Sequence, residues 1–215
     1  MFLGHFAAAF AAKRAAPRAS LGVLFAAAQW SDLLWPVLLL AGVERVTVAP
    51  GDTPFTPLRF DSYPLSHSLL AVGAWALLAA GLYHAVKRDA RGAGVVALLV
   101  VSHWMLDVIT HRPDLPVTPW GGARAGLGLW ASVPLTMLVE IAMFAAGVAL
   151  YVRASARPGR KRLGLLALVA FLLVVYLMNA FGPPPPDATA VAWVTLSMWL
   201  LVAWAWAVDR GRDAG

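Results

Sequence analysis

The chain has 215 residues, 60% of them hydrophobic and only 13% charged, with a mean hydropathy of +0.72. A soluble domain carries about twice that charge fraction, and here the apolar residues come in long blocks rather than amphipathic stripes, which excludes an ordinary water-soluble domain and points to membrane spans. The net charge of +6 and isoelectric point near 10.3 do not imply a nucleic-acid partner, because the basic residues sit in short clusters between apolar blocks, where they orient a membrane protein. Cysteine is absent, so any metal must be held by His, Asp and Glu.

In chain order, Phe2 to Ala12 is a short apolar run followed by Lys13, Arg14 and Arg18. Its basic residues come after the apolar segment, the reverse of a signal peptide, so a short first helix packed on protein is expected. Leu21 to Val43 is long enough to span, interrupted by Gln29, Ser31, Asp32 and Pro36. Glu44 to Pro64 reads as a polar loop, Leu65 to Val86 as the second span and Gly92 to Thr110 as the third. Arg112 to Gly128, rich in Pro and Gly, is a loop. Leu129 to Val152 is the fourth span, Leu163 to Phe181 the fifth, and Ala190 to Val208 a sixth after the Pro183–Pro186 turn. The expected fold is all-α: a polytopic integral membrane helix bundle of about six membrane helices, the first one short. It forms a single domain over 1–215, with the motifs in 1–150 and further helices in 163–208.

Thirteen of the 17 Lys and Arg residues fall in segments 13–18, 87–91, 153–162 and 210–212. These lie on one side if the spans alternate, which is expected to be the cytoplasmic side. Loops 44–64, 111–128 and 182–187 then face outward.

One apolar span carries a polar stripe, Ser102-His103-Trp104-Met105-Leu106-Asp107-Val108-Ile109-Thr110-His111. In a helix, His103, Asp107 and His111 recur at i, i+4 and i+8, each step turning about 40°, so all three are expected on one face. Imidazole and carboxylate on one face suit zinc or another borderline divalent metal, and burying them in lipid costs several kcal/mol unless they are paired or coordinated. With the topology set by Lys and Arg alone, a rise of about 1.5 Å per residue puts Asp32 roughly 18 Å and His103 roughly 17 Å above the cytoplasmic ends of their spans. Asp107 lies higher, His67 and His111 near the outer ends, Glu140 within the fourth span and His5 in the first helix. Most ionisable residues within the spans therefore gather in the middle-to-outer half of the bilayer, as one shared site would require. His5, Asp32, His67, His103, Asp107 and His111 are the candidate metal ligands, and Asp107, Asp32 or Glu140 the candidate general base. Arg112 or Arg124 could hold a phosphate.

Plainer readings stand beside these. His103 and Asp107 could stitch helices together, Asp32 could be held by Gln29 or Ser31, and His67 could cap a helix. Glu140 could pair with Arg124 or Arg112, and His111, next to Arg112-Pro113, could belong to a loop.

Gly4-His5, Ser31-Asp32-Leu33-Leu34-Trp35-Pro36, Ser66-His67-Ser68-Leu69-Leu70 and Ser102-His103 through Asp107 to Thr110 resemble, in order and spacing, the motifs of a family of bacterial inner-membrane proteins described as membrane-bound metal-dependent hydrolases. That family is distantly similar to zinc-dependent phospholipase C. The resemblance covers about the first 120 residues. It departs from the family at Leu34 and Trp35, where a second Asp and a His are usual, and at Ser62-Tyr63-Pro64, which replaces a His-Arg-Gly element. The resemblance implies a divalent-metal cofactor, zinc in the first instance, an inner-membrane location among membrane lipids, and a lipid or phosphoester substrate. The rival classes are a transporter or proton relay built on the same His and Asp residues, and a non-enzymatic protein that uses them for helix packing.

Overall fold

The computed structural model describes residues 1–155 and 161–210. The basic residues expected to orient the chain at 156–160 and 211–212 lie outside the described residues. The fold is an all-α polytopic membrane bundle. Helix α1 (Leu3–Ala12) is followed by α2 (Leu21–Ala28) and α3 (Trp30–Leu40), which together make one apolar span bent by 59° at Gln29. Strands β1 (Arg45–Val48) and β2 (Leu58–Ser62) come next, then the one-turn helix α4 (Pro64–His67) and α5 (Leu69–Lys87). Helix α6 (Ala90–Thr110) leads to the short strands β3 (Leu115–Pro116) and β4 (Arg124–Ala125), a 3-10 turn at Leu129–Ala131, and α7 (Val133–Ala154). Helices α8 (Lys161–Phe181), α9 (Ala188–Leu196) and α10 (Met198–Arg210) complete the described chain.

Helices α5, α6 and α7, residues Leu163–Phe181 of α8, and α9 with α10 as Ala188–Asp209 give spans of 19 to 22 residues with mean hydropathy between 1.8 and 2.5. At about 1.5 Å per residue these cross a bilayer core of about 30 Å. Their outer faces present bare apolar side chains, among them Leu77, Val86, Leu98, Leu138, Val194 and Leu200, which is the surface a lipid solvent requires. The protein is a multi-pass membrane protein.

The short first helix is the centre of the bundle. Leu3, Gly4, His5, Phe6, Ala7, Ala9 and Phe10 of α1 are all buried, because α1 lies against α7, α2 and α6 at once. Phe10 packs edge-on to Phe25, Phe144 and Tyr151. The close approach depends on Gly147 of α7: a Cβ there would stand 2.5 Å from the Ala7 carbonyl oxygen, so only glycine lets the two backbones touch. At one end of the bundle Lys13 Nζ is buried 2.6 Å from Asp209 Oδ2 of α10 and 2.7 Å from the Ala19 carbonyl oxygen, tying the α1–α2 turn to α10.

Both loops expected to be irregular contain antiparallel strands. β1 pairs with β2 in the register Val46↔Phe60, Thr47↔Arg59 and Val48↔Leu58, with a bulge between Arg45 and Val46, and β3 pairs with β4. The alternation in Arg45-Val46-Thr47-Val48 is short and sits in a stretch rich in Pro and Asp, so it reads as a loop until its partner is known. The second span begins at Leu69 rather than Leu65: Ser68 is extended (ψ 142°) and its hydroxyl caps α5 by accepting from Ala71 N–H. His67 therefore stands on a separate turn.

Candidate metal centre

Four ligand atoms meet in the interior, alternating nitrogen and oxygen around a closed ring. His67 Nε2 lies 3.4 Å from Asp32 Oδ1, which lies 3.8 Å from His103 Nε2; that nitrogen lies 3.2 Å from Asp107 Oδ2, which closes the ring 3.9 Å from His67 Nε2. In a tetrahedral site with bonds of about 2.0–2.2 Å, neighbouring ligand atoms stand about 3.3–3.6 Å apart. The His67–Asp32 edge falls in that range and the other three lie just outside it; Asp32, His67 and His103 make one set that could share an ion, and Asp107 belongs with His103 and His5 in the other. His5 adds a fifth group: its Nε2 is 3.1 Å from Asp107 Oδ1, and its ring stacks on His103 with centroids 3.7 Å apart. Among the described residues, His5, His103 and Asp107, and Asp32, His67 and His103, are the two sets whose ligand atoms could share an ion.

The other nitrogen of each ring histidine is fixed by the scaffold. His103 Nδ1 lies 2.8 Å from the Ala28 carbonyl oxygen. A carbonyl only accepts, so Nδ1 carries the proton and Nε2 offers a lone pair. The acceptor is available because the bend at Gln29 takes the Ala28 carbonyl out of the helical ladder. His67 Nδ1 lies 2.7 Å from Ser66 Oγ, and that hydroxyl donates to Glu44 Oε2 at 2.5 Å. Having spent its proton on Glu44, Ser66 can only accept from His67, so His67 Nε2 is also a lone pair. Glu44 is itself fixed by the backbone N–H groups of Leu65 and Ser66, at 2.7 and 2.9 Å on Oε1. A metal-binding histidine that donates its second nitrogen to a carbonyl or carboxylate is the usual outer arrangement of such sites.

Two imidazole lone pairs and two carboxylates are acceptors facing acceptors, which in the interior demands a cation or a proton between them. His103 Nε2 stands 3.2 Å from Asp107 Oδ2, so a proton on His103 is the alternative to an ion at this edge. The donor set of nitrogen and oxygen with no thiolate fits a borderline or hard divalent ion. On the far side of Asp107, the Met1 amino group lies 2.5 Å from Oδ1, leaving Oδ2 to face the ring.

Four expectations change. His111 does not continue the stripe: α6 ends at Thr110, and His111 is extended (ψ 146°), because Arg112 precedes a proline and disfavours another helical turn. Its Nδ1 lies 3.0 Å from Asp114 Oδ1, outside both ligand groups. Burial pushes the imidazole of His111 below its ordinary pKa of 6.5. Glu140 is paired with neither Arg124 nor Arg112; its Oε2 accepts from the backbone N–H of Phe2 at 2.9 Å and of Gly4 at 3.3 Å, holding the N-terminus of α1. Arg112 and Arg124 are likewise engaged, Arg112 with Asp52 at 2.7 Å and with Asp114 at 3.0 Å, and Arg124 with the Asp114 carbonyl oxygen. Asp32 is held by neither Gln29 nor Ser31; it faces His67 and His103.

Above the ring an aromatic roof closes the site on the hairpin side. Trp35 packs on Phe60 and His67, Phe60 on Tyr63, His111 and Trp130, and Tyr63 on His67, with centroid separations from 4.9 to 6.3 Å. Tyr63 Oη donates to Asp114 at 3.0 Å. A cleft of about 130 Å³ lies beyond Tyr63, lined by Asp61, Asp114 and Arg124 among others, and reaches none of the ring residues.

Glu44, Ser66 and the Ala28 carbonyl escape sequence reading as functional groups. Glu44 starts an apparent loop and a backbone carbonyl has no letter in the sequence; Ser66, next to His67, is the one signal available. Comparison with protein-family models, curated proteins and solved structures finds no match. The fold and the ring define the class: a multi-pass helical membrane protein with an interior His/Asp cluster that could hold a metal ion.

Proposed function

We propose that this protein is a membrane-bound metal-dependent hydrolase acting on a phosphoester or lipid. The observation that carries this is the closed ring of His67, Asp32, His103 and Asp107, with both imidazoles held by Ala28 and by Ser66–Glu44 so that only lone pairs face inward. The reading agrees with the resemblance to membrane-bound metal-dependent hydrolases. A bound zinc-like ion supplies Lewis acidity and lowers the pKa of water toward neutrality. The chain would supply the rest: Asp32, His67 and His103 would hold one ion, and His5 and Asp107, with His103 between the two sets, would hold it from the other side or a second ion. Asp32, the ring residue with appreciable open surface, turns Oδ1 to His67 and His103, so its other oxygen would be the one to take a proton from water. Glu140 acts through α1, as a positioning residue for His5. In this reading the protein belongs to a bacterial inner membrane, with its basic segments cytoplasmic and the site toward the outer side.

The test is metal content of the protein purified in mild detergent, beside His103→Ala and Asp107→Ala. Near-stoichiometric zinc or manganese, lost in both variants while the helical circular dichroism is kept, is the expected result, followed by metal-dependent turnover in a phosphoester and lipid panel. Wild-type protein that binds no divalent ion even on reconstitution refutes the proposal and leaves a proton relay or a packing role.

A further inference from the structure

Access to the ring is restricted on nearly every side. The hairpin side carries the aromatic roof, and the cleft outside it stops at Tyr63. The opposite side is filled by α1 and α2, whose Phe6, Phe10, Leu24 and Phe25 are buried. His5, His67, His103 and Asp107 each have at most 4% of their side-chain surface open, whereas Asp32 has 24%. Asp32 is thus the window of the site.

The window lies within the membrane span. Asp32 follows the 59° bend by three residues, so about 12 Å of α2 and about 4.5 Å of α3 on a second axis separate it from Leu21, a depth that stays inside a bilayer core of about 30 Å. Helices α3 and α5 do not pack along their lengths; they meet where Trp30 touches Trp75, with centroids 5.8 Å apart. Trp75 is held by its indole N–H donating to the Leu65 carbonyl oxygen at 2.9 Å, whereas Trp30 Nε1 is buried without an acceptor among the described residues. An open carboxylate and an unused indole donor at the depth of the hydrocarbon are costly unless a polar group comes to meet them. Beyond this rim, α5 turns the bare side chains of Leu70, Leu77 and Leu78 outward, each at least half exposed.

We propose that the ligand reaches the site laterally from the bilayer, between α3 and α5 and past Trp30 and Trp75. It is accordingly an amphiphile with a polar linkage beside its acyl chains, a phospholipid rather than a soluble phosphoester, whose phosphate would meet the ring's cation and the Trp30 indole N–H and not the Asp32 carboxylate. The polar linkage reaches the ring while the chains stay in lipid along α5. The lateral opening stands on the geometry alone; naming its occupant a substrate rests on the hydrolase reading.

The absence of native cysteine makes single-site labelling direct. Full-length protein carrying a spin label at Trp30→Cys or Asp32→Cys is placed in phospholipid vesicles, and collision with oxygen, which concentrates in lipid, is compared with collision with a water-soluble nickel chelate. Both labels are expected to meet oxygen and escape the chelate, with an Asp61→Cys label on the hairpin showing the opposite. Chelate reaching position 32, or neither reagent reaching either label, overturns the lateral opening; the Trp30 label keeps the test alive if Asp32→Cys does not fold. In a second arm, Trp30→Cys/Trp75→Cys is cross-linked with a short reducible reagent. Loss of phospholipid turnover with bound zinc retained, and recovery on reduction, is expected. Unchanged turnover after complete cross-linking overturns the route. Absence of zinc or turnover in the uncross-linked protein counts against the hydrolase reading instead, and the labelling result then decides the opening by itself.

Discussion

Glu44→Gln is an isosteric change that reverses a proton arrangement without removing an atom from the packing. Glu44 Oε1 accepts two backbone N–H groups, from Leu65 and Ser66, and a glutamine must put its carbonyl oxygen there, because its NH2 would confront two donors. The NH2 then faces Ser66 Oγ, which must accept from it and turn its own proton to His67 Nδ1. His67 is driven into the tautomer with the proton on Nε2, the atom that faces Asp32 and Asp107 at 3.4 and 3.9 Å. Loss of such an outer partner lowers metal affinity by about 10- to 100-fold, or about 1.4–2.7 kcal/mol. The helix-entry hydrogen bonds survive, so thermal stability without metal should change little. The assay is zinc competition against a chelating dye in detergent, with Ser66→Ala as companion. Zinc affinity equal to wild type in Glu44→Gln would refute the reasoning that the Glu44–Ser66 chain sets the ligand state of His67.

Replacing Lys13 with Met removes the Nζ 2.6 Å from Asp209, which keeps the Leu21 N–H and the Tyr151 hydroxyl, and should lower the unfolding temperature with metal content unchanged; a drop in zinc stoichiometry would instead couple this end of the bundle to the site. Gly147→Ala sets a Cβ 2.5 Å from the Ala7 carbonyl oxygen and should destabilise by about 1–3 kcal/mol. Because α1 carries His5, zinc affinity should fall with it, and dye competition beside a thermal melt would expose an unaffected site. For pH, the hydrogen bond from Arg112 holds Asp52 below its ordinary 3.8, and Asp114, though burial opposes it, is also held below 3.8 by His111, Tyr63 and Arg112. Depressed carboxylate pKa values stabilise fully above the unfolded value and lose that contribution only as pH falls through the folded one. His111, held below its ordinary 6.5 by burial, acts in a higher window, because the unfolded loop takes up the imidazole proton first. Hydrogen-exchange protection in 111–128 should therefore weaken as pH falls below 6.5 and weaken again below 3.8 as the carboxylates are lost; protection unchanged between pH 7 and 5 would show that His111 is not held neutral in the fold.

The spans and the inner ring were legible because each is written locally. His103 and Asp107 share one helix at i,i+4, and Asp32, His67 and His5 stand out as ionisable residues in apolar runs whose depths agree. What was not legible depends on contacts between distant residues. Glu140 looks like a partner for an arginine until α1 folds its free N–H groups against it. His111 fits the helical stripe on spacing alone, but Arg112-Pro113 ends the helix and Asp114 takes the ring. The hairpin 45–62 shows too little alternation to declare itself, and with it went the roof residues Phe60 and Tyr63 and the anchoring role of Glu44. The partner of His103 is a main-chain oxygen, released by a bend at Gln29 that no residue type there requires.

If the ring holds the ion proposed above, that bend would make the centre responsive to its host membrane. Straightening α2 and α3 into one continuous helix would return the Ala28 carbonyl to the N–H of Asp32 and withdraw it from His103. Whatever favours the straight form must weaken ion binding, and ion binding must favour the kinked form by the same free energy. A straight helix reaches farther along the membrane normal than a kinked one and suits a thicker hydrocarbon layer. Zinc affinity should therefore decline from short-chain to long-chain phosphatidylcholine vesicles, so that bilayer thickness tunes the occupancy of the site; affinity independent of chain length would uncouple the kink from the ion.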